Sequence, residues 1–136
     1  MRKSAITAVA FCSVLGGSLM GGITAAQTPP ATVVADHDKD NDQTLDLAEV
    51  KAAAGARFDK LNKDTDQTLE THEVKGVIGN KMFAAADTDH DGSLSKDEYL
   101  ALVEKLFKET DIDHDGTLSV NELKSKSGQM LIRLIH

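Results

Sequence analysis

From residue 38 to residue 122, short acidic stretches alternate with stretches in which apolar residues recur at helical spacing. Leu47, Val50, Ala54, Phe58 and Leu61 fall on one helical face, as do Val74, Val77, Ile78, Phe83 and Ala86, and again Tyr99, Leu102, Val103, Leu106 and Phe107. This spacing predicts one helix in each of the intervals 50–61, 74–86 and 99–110. At about 1.5 Å per residue each interval spans about 18 Å, room for one helix but not for two helices and a linker. Val120 to Ile135 predicts a final helix with a break near Gly128 and an apolar end, Leu131 to Ile135, that docks on the core. Thr28-Pro29-Pro30 predicts a flexible start before a short first helix, Ala31–Asp36. The expected fold class is all-α, with single helices between consecutive acidic loops and short β-pairing between the loops.

The N-terminus follows a different pattern. Met1-Arg2-Lys3 is basic, Ala5 to Met20 is apolar and rich in small residues, and Thr24-Ala25-Ala26 places small residues where a signal peptidase reads. The apolar run is shorter than the roughly 20 residues a membrane span needs. Residues 1–26 are therefore expected to be a signal peptide cleaved after Ala26, and residues 27–136 an exported domain, periplasmic or secreted, with no membrane attachment after cleavage. The single Cys, Cys12, leaves with the leader, which excludes disulfides, thiolate nucleophiles and sulfur-ligated metal sites from the remainder.

The acidic stretches are a repeat. Four segments align without gaps: DKDNDQTLDLAE (38–49), NKDTDQTLETHE (62–73), DTDHDGSLSKDE (87–98) and DIDHDGTLSVNE (111–122). Each has Asp or Asn at position 1, Asp at 3 and 5, Ser or Thr at 7, Leu at 8 and Glu at 12. A hard cation takes about six to eight oxygens at roughly 2.3–2.6 Å. Alternate residues of a tight loop point inward, so the side chains at positions 1, 3 and 5, the carbonyl at 7, position 9 directly or through water, and both oxygens of Glu at 12 can close such a shell. The candidate ligands are Asp38, Asp40, Asp42, Thr44, Asp46 and Glu49 in loop 1, and Asn62, Asp64, Asp66, Thr68, Glu70 and Glu73 in loop 2. Those of loop 3 are Asp87, Asp89, Asp91, Ser93, Ser95 and Glu98, and those of loop 4 are Asp111, Asp113, Asp115, Thr117, Ser119 and Glu122. Leu45, Leu69, Leu94 and Leu118 are expected to point away from the ion, into the core, from the stretch by which two loops pair.

In this register the segments resemble the EF-hand calcium loop. Position 6, where the backbone needs a positive φ, holds Gly92 and Gly116 in loops 3 and 4 but Gln43 and Gln67 in loops 1 and 2. A non-Gly residue there costs about 1–2 kcal/mol, so loops 1 and 2 are expected to be weaker. Loop 2 also opens on the neutral Asn62.

Charge fits this picture. The chain carries 15 Lys+Arg and 22 Asp+Glu, a formal net of −7. Without Arg2 and Lys3 the balance is 13 against 22, or −9. Seventeen of the 22 acids are candidate ligands, five in loop 1 and four in each other loop. Such a surface repels nucleic acid and anionic membrane and attracts cations.

The single-helix spacing resembles the lanmodulin family, small periplasmic lanthanide-binding EF-hand proteins, over the whole of residues 27–136. That resemblance implies Ca²⁺ or lanthanide(III) as the bound ion, with Asp46 and Glu70 matching the family's additional acid at position 9. Lys39, Lys63, Thr88 and Ile112 stand where the family has Pro, and Ser95 and Ser119 replace its position-9 acid. A calcium sensor presenting a surface to a protein partner is the alternative, and a protein partner is left open. A dockerin-like module has two repeats and usually Asp at position 12, which these loops do not match. His37, His72, His90 and His114 are expected at the surface. The five His residues form no catalytic or zinc constellation, so the expectation is a binding protein and not an enzyme.

Overall fold

A computed structural model describes residues 28–136, so the expected signal peptide lies outside the described residues. Helix α1 (Pro30–His37) opens with a proline at its first position, where the missing N–H costs nothing. Helix α2 (Leu47–Leu61) follows strand β1 (Leu45–Asp46), and α4 (Lys96–Thr110) follows β3 (Ser93–Ser95). Both helices start three residues before the predicted intervals because a capping box begins inside the loop. Asp46 accepts from the Glu49 N–H, Ser95 accepts from the Glu98 N–H, and each glutamate reaches back to the cap's N–H.

The interval 74–86 departs from expectation. Only α3 (Asn80–Ala86) is helical, and turns run from Thr71 to Ile78 after strand β2 (Thr68–Glu70). Gly76 sits at φ +87 and ends a turn in which the Val77 and Ile78 N–H groups both donate to the Val74 carbonyl. Gly79 is extended and starts α3. Two glycines thus break the helix that the apolar spacing predicted, while Val74, Ile78, Phe83 and Ala86 remain buried.

The C-terminal segment is also divided, but not where expected. After β4 (Thr117–Leu118) a short 3-10 turn (Glu122–Lys124) is followed by α5 (Lys126–Ile135). The break falls at Ser125, which caps α5 by accepting from the Gly128 N–H. Gly128 lies inside the helix; a Cβ there would stand 2.5 Å from Leu123 Cα and 2.6 Å from its carbonyl oxygen. Glycine is needed for close backbone approach, not for a bend.

Helices α2, α4 and α5 pack on one another to form the core. Tyr99 is fully buried at their junction, meets Phe58 edge-on at 5.5 Å and donates its hydroxyl to the Leu134 carbonyl at 2.8 Å. Burial drives the Tyr99 phenol well above its ordinary range. Glu104 ties α4 to α2 through Lys51 at 2.8 Å and also bonds Lys108. Hydrogen bonds from Lys108 and then Lys51 hold the Glu104 carboxyl down to about 2. A depressed carboxyl stabilises the fold above the unfolded value near 4.5, and that contribution fades as pH falls toward 2. Glu104→Gln should therefore flatten the acid limb of the stability profile in that window, as read by urea unfolding at successive pH values.

The loops pair in a nested order. Strand β1 pairs antiparallel with β4, setting Leu45 opposite Leu118, and β2 pairs with β3, setting Leu69 opposite Leu94. All four leucines are completely buried, as expected. The first loop is thus joined to the last and the two middle loops to each other. Among the described residues no helix is long and apolar enough to cross a membrane.

Candidate metal centres

In every loop the backbone coils around the candidate ligands by the same set of bonds. The position-5 N–H donates to the position-3 carboxylate, at 3.3 Å for Asp42 to Asp40 and 3.2 Å for Asp91 to Asp89. The position-7 N–H donates to the position-5 carboxylate, and the Thr44, Ser93 and Thr117 hydroxyls add a second bond to the same oxygen. Ser or Thr at position 7 of loops 1, 3 and 4 is thereby explained: its hydroxyl ties the turn. The position-12 glutamate closes the loop, with one oxygen accepting from the position-2 N–H and the other from the position-9 N–H. The pairs are Lys39 and Asp46 for Glu49, and Lys63 and Glu70 for Glu73. For Glu98 they are Thr88 and Ser95, and for Glu122 Ile112 and Ser119.

These bonds gather carboxylates. Oxygens of Asp38, Asp40 and Glu49 lie within 4.8 Å of one another, as do those of Asp87, Asp89 and Glu98, and of Asp111, Asp113 and Glu122. Two oxygens bound to one ion at about 2.4 Å are at most about 4.8 Å apart, so these trios fit a single hard cation. Asp42, Asp91 and Asp115 stand outside the trios, occupied with position 7. Asp46, a candidate ligand, caps α2.

Loop 2 is different. Its trio is Asp64, Asp66 and Glu70, all exposed, and Glu70 also meets His72 at 3.0 Å. Glu73 is buried and lies outside the trio. In the other loops the second oxygen of the position-1 aspartate accepts from the position-6 N–H: Asp38 from Gln43 at 2.9 Å, Asp87 from Gly92 and Asp111 from Gly116, both at 3.1 Å. Asn62 has an NH₂ in place of that oxygen and cannot accept.

Backbone strain separates the loops further. Position 6 has positive φ throughout, at 69 for Gln43 and 73 for Gln67, as the sequence implied. Position 4 also lies in the left-handed region, with Asn41 and Thr65 at 62 and His90 and His114 at 59. Of these four residues Asn41 hints at this in the sequence, since Asn tolerates that conformation. Thr65, β-branched, is the costliest occupant. Gln67→Gly should tighten loop 2 about tenfold, the equivalent of about 1–2 kcal/mol of relieved strain, and adding Thr65→Asn should extend the gain. Isothermal titration reads this directly, and an unchanged weakest site would refute the strain argument.

Charge within the loops is tuned by the same contacts. Burial opposes ionisation of Asp38, but the N–H groups of Gln43 and Asn41 outweigh it and hold the carboxyl below its usual range. The Thr68 N–H does the same for Asp66. Burial, joined by the Asp42 charge, raises Asp40 against the bond from the Asp42 N–H. At Asp89 the Asp91 N–H pulls downward, yet burial and the Asp91 charge together prevail and raise it. The Ser95 N–H leads the donors that bring Glu98 down to about 2. His72, His90 and His114 are exposed, as expected, but His37 is half-buried against the His136 ring at 6.0 Å, and burial lowers its proton affinity. His37 is thus less exposed than expected, because the C-terminal His136 ring packs beside it.

Acidic loops that gather carboxylates and close on a glutamate suggest metal binding of the calcium type. The EF-hand family model matches residues 80–103 and 102–125, which hold loops 3 and 4, and supports placement in the EF-hand superfamily. A search of curated proteins finds no match.

Proposed function

We propose that this chain is an exported EF-hand protein that binds Ca²⁺ and/or lanthanide(III) ions in its acidic loops and couples binding to folding. The observation that carries this reading is the recurrence of the 1–3–12 carboxylate trio in three loops, each compact enough for one ion. The residues that would hold the ion are the position-1, 3, 5 and 12 side chains, the position-7 carbonyl and position 9. Export is supported by the leader-like residues 1–26. Lanthanide binding is supported by the resemblance to lanmodulin and by charge: a trivalent ion of nearly the size of Ca²⁺ gains more from each carboxylate.

Competition between La³⁺ and Ca²⁺, read by helicity, tests the reading. A gap of many decades in free-ion midpoint supports lanthanide handling, and equal midpoints support a calcium buffer. No response to either ion would overturn the proposal. One observation favours the sensor reading: a groove of about 640 Å³ beside α3 and α4 is lined by Met82, Met130 and Leu102, and Glu98 of loop 3 reaches its wall. Polarizable methionines suit an adaptable docking face. Apolar-dye fluorescence that rises on Ca²⁺ addition would support this second reading.

A further inference from the structure

Loop 3 stands apart in what its carboxylates are doing. Asp87 is 6% exposed; its Oδ2 accepts from Gly92, but its Oδ1 is buried with no hydrogen-bond donor. The corresponding oxygen is engaged elsewhere: Asp38 Oδ1 by the Asn41 N–H at 2.6 Å, Asn62 Oδ1 by Thr65 at 2.7 Å, Asp111 Oδ1 by Asp115 at 3.2 Å. A buried carboxylate oxygen without a donor is costly, and a cation placed among Asp87, Asp89 and Glu98 removes that cost.

The closing glutamate gives an independent ranking. Glu98 accepts from the N–H and hydroxyl of both Thr88 and Ser95, four donors at 2.8–2.9 Å. Glu122 has three, from Ile112 N–H and Ser119 N–H and hydroxyl. Glu49 and Glu73 each have two, both backbone N–H groups. The N–H donors fix the carboxylate through one lone pair on each oxygen. The hydroxyls are rotors that can turn away and yield the other lone pair to an ion. Loop 3 therefore has the best-positioned closing ligand, an unsatisfied first ligand, and Gly92 where loop 2 has a strained Gln67.

Loop 2 is tied to loop 3 twice. Thr68 to Glu70 pair with Ser95 to Ser93, which sets the position-7 carbonyls of the two loops in one ladder, and α3 leads from the turn after loop 2 into Asp87. We infer that loop 3 takes the first cation, with Asp87 as the residue that gives it priority, and that loop 2 fills only behind it. This rests on the cation-binding reading above.

The test is an amide NMR titration of the ¹⁵N-labelled full chain with La³⁺, and separately with Ca²⁺, using the position-6 amides of Gln43, Gln67, Gly92 and Gly116 as one reporter per loop. Gly92 should move first and Gln67 later. In Asp87→Asn, which keeps the side chain's shape but removes its charge, the midpoints of both Gly92 and Gln67 should move to at least about tenfold higher free cation. Gly116 and Gln43 should stay within about twofold, because their ladder is separate. Glu98→Gln should reproduce the pattern and guards against a folding defect in the first variant. The inference is overturned if Gly116 or Gln43 leads, or if Gln67 ignores both substitutions. Silence of all four amides would instead overturn cation binding itself.

Discussion

Gly128→Ala should lower the unfolding free energy by about 3 kcal/mol, the upper end of the usual overpacking cost, and the melting temperature by roughly 12–20 °C. The new methyl would sit 2.5–2.7 Å from three backbone atoms, Leu123 Cα, Leu123 O and Glu122 O. None of these can rotate away as a side-chain tip could. Relief requires α5 to move off the 3-10 turn, and that turn carries Glu122, the closing ligand of loop 4, and the fully buried Leu123. The variant should therefore also weaken loop 4 for its ion. Gly79→Ala is the control: its φ is ordinary and nothing lies within 4 Å of the added carbon, so its effect should be within about 0.5 kcal/mol. Thermal melts of the two variants side by side settle the matter, and equal melting temperatures would discredit the close approach.

Chelation should abolish much of the helix content. Seventeen candidate ligands are acidic, and within each trio carboxylates are held within 4.8 Å of one another. The raised proton affinities of Asp40 and Asp89, in which burial is reinforced by a neighbouring aspartate, register the same crowding. An ion that binds only the folded chain adds about 4 kcal/mol per site at a concentration a thousandfold above its dissociation constant. Two such sites match the whole stability of a typical small domain, about 5–15 kcal/mol. Far-UV circular dichroism of residues 27–136 in excess chelator and then in excess cation should show a large helical gain, and an unchanged spectrum would refute coupled folding.

Much of this was legible in the chain because it is local. The loops declare themselves through Asp at alternate positions, Leu45, Leu69, Leu94 and Leu118 through their fixed place, and the core face of α4 through its spacing. The left-handed φ at Gln43 and Gln67 followed from the glycines at the equivalent positions of the sister loops. Misreadings arose where two local rules compete or where the cause is distant. Val74, Val77 and Ile78 keep helical spacing although Gly76, at positive φ, interrupts the helix, because a turn can bury Val74 and Ile78 all the same. Gly128 reads as a break, yet its reason is Leu123 packing against its Cα, visible only in three dimensions. Thr88 reads as a missing proline and Ser95 and Ser119 as missing acids, yet their hydroxyl bonds to Glu98 and Glu122 depend on the folded loop.

The strand pairing, β1 with β4 and β2 with β3, nests one partnership inside another like brackets. No single cut can yield two self-sufficient halves. Scission between Gly79 and Asn80 would part every loop from its mate, leaving two fragments that recover order only by finding each other.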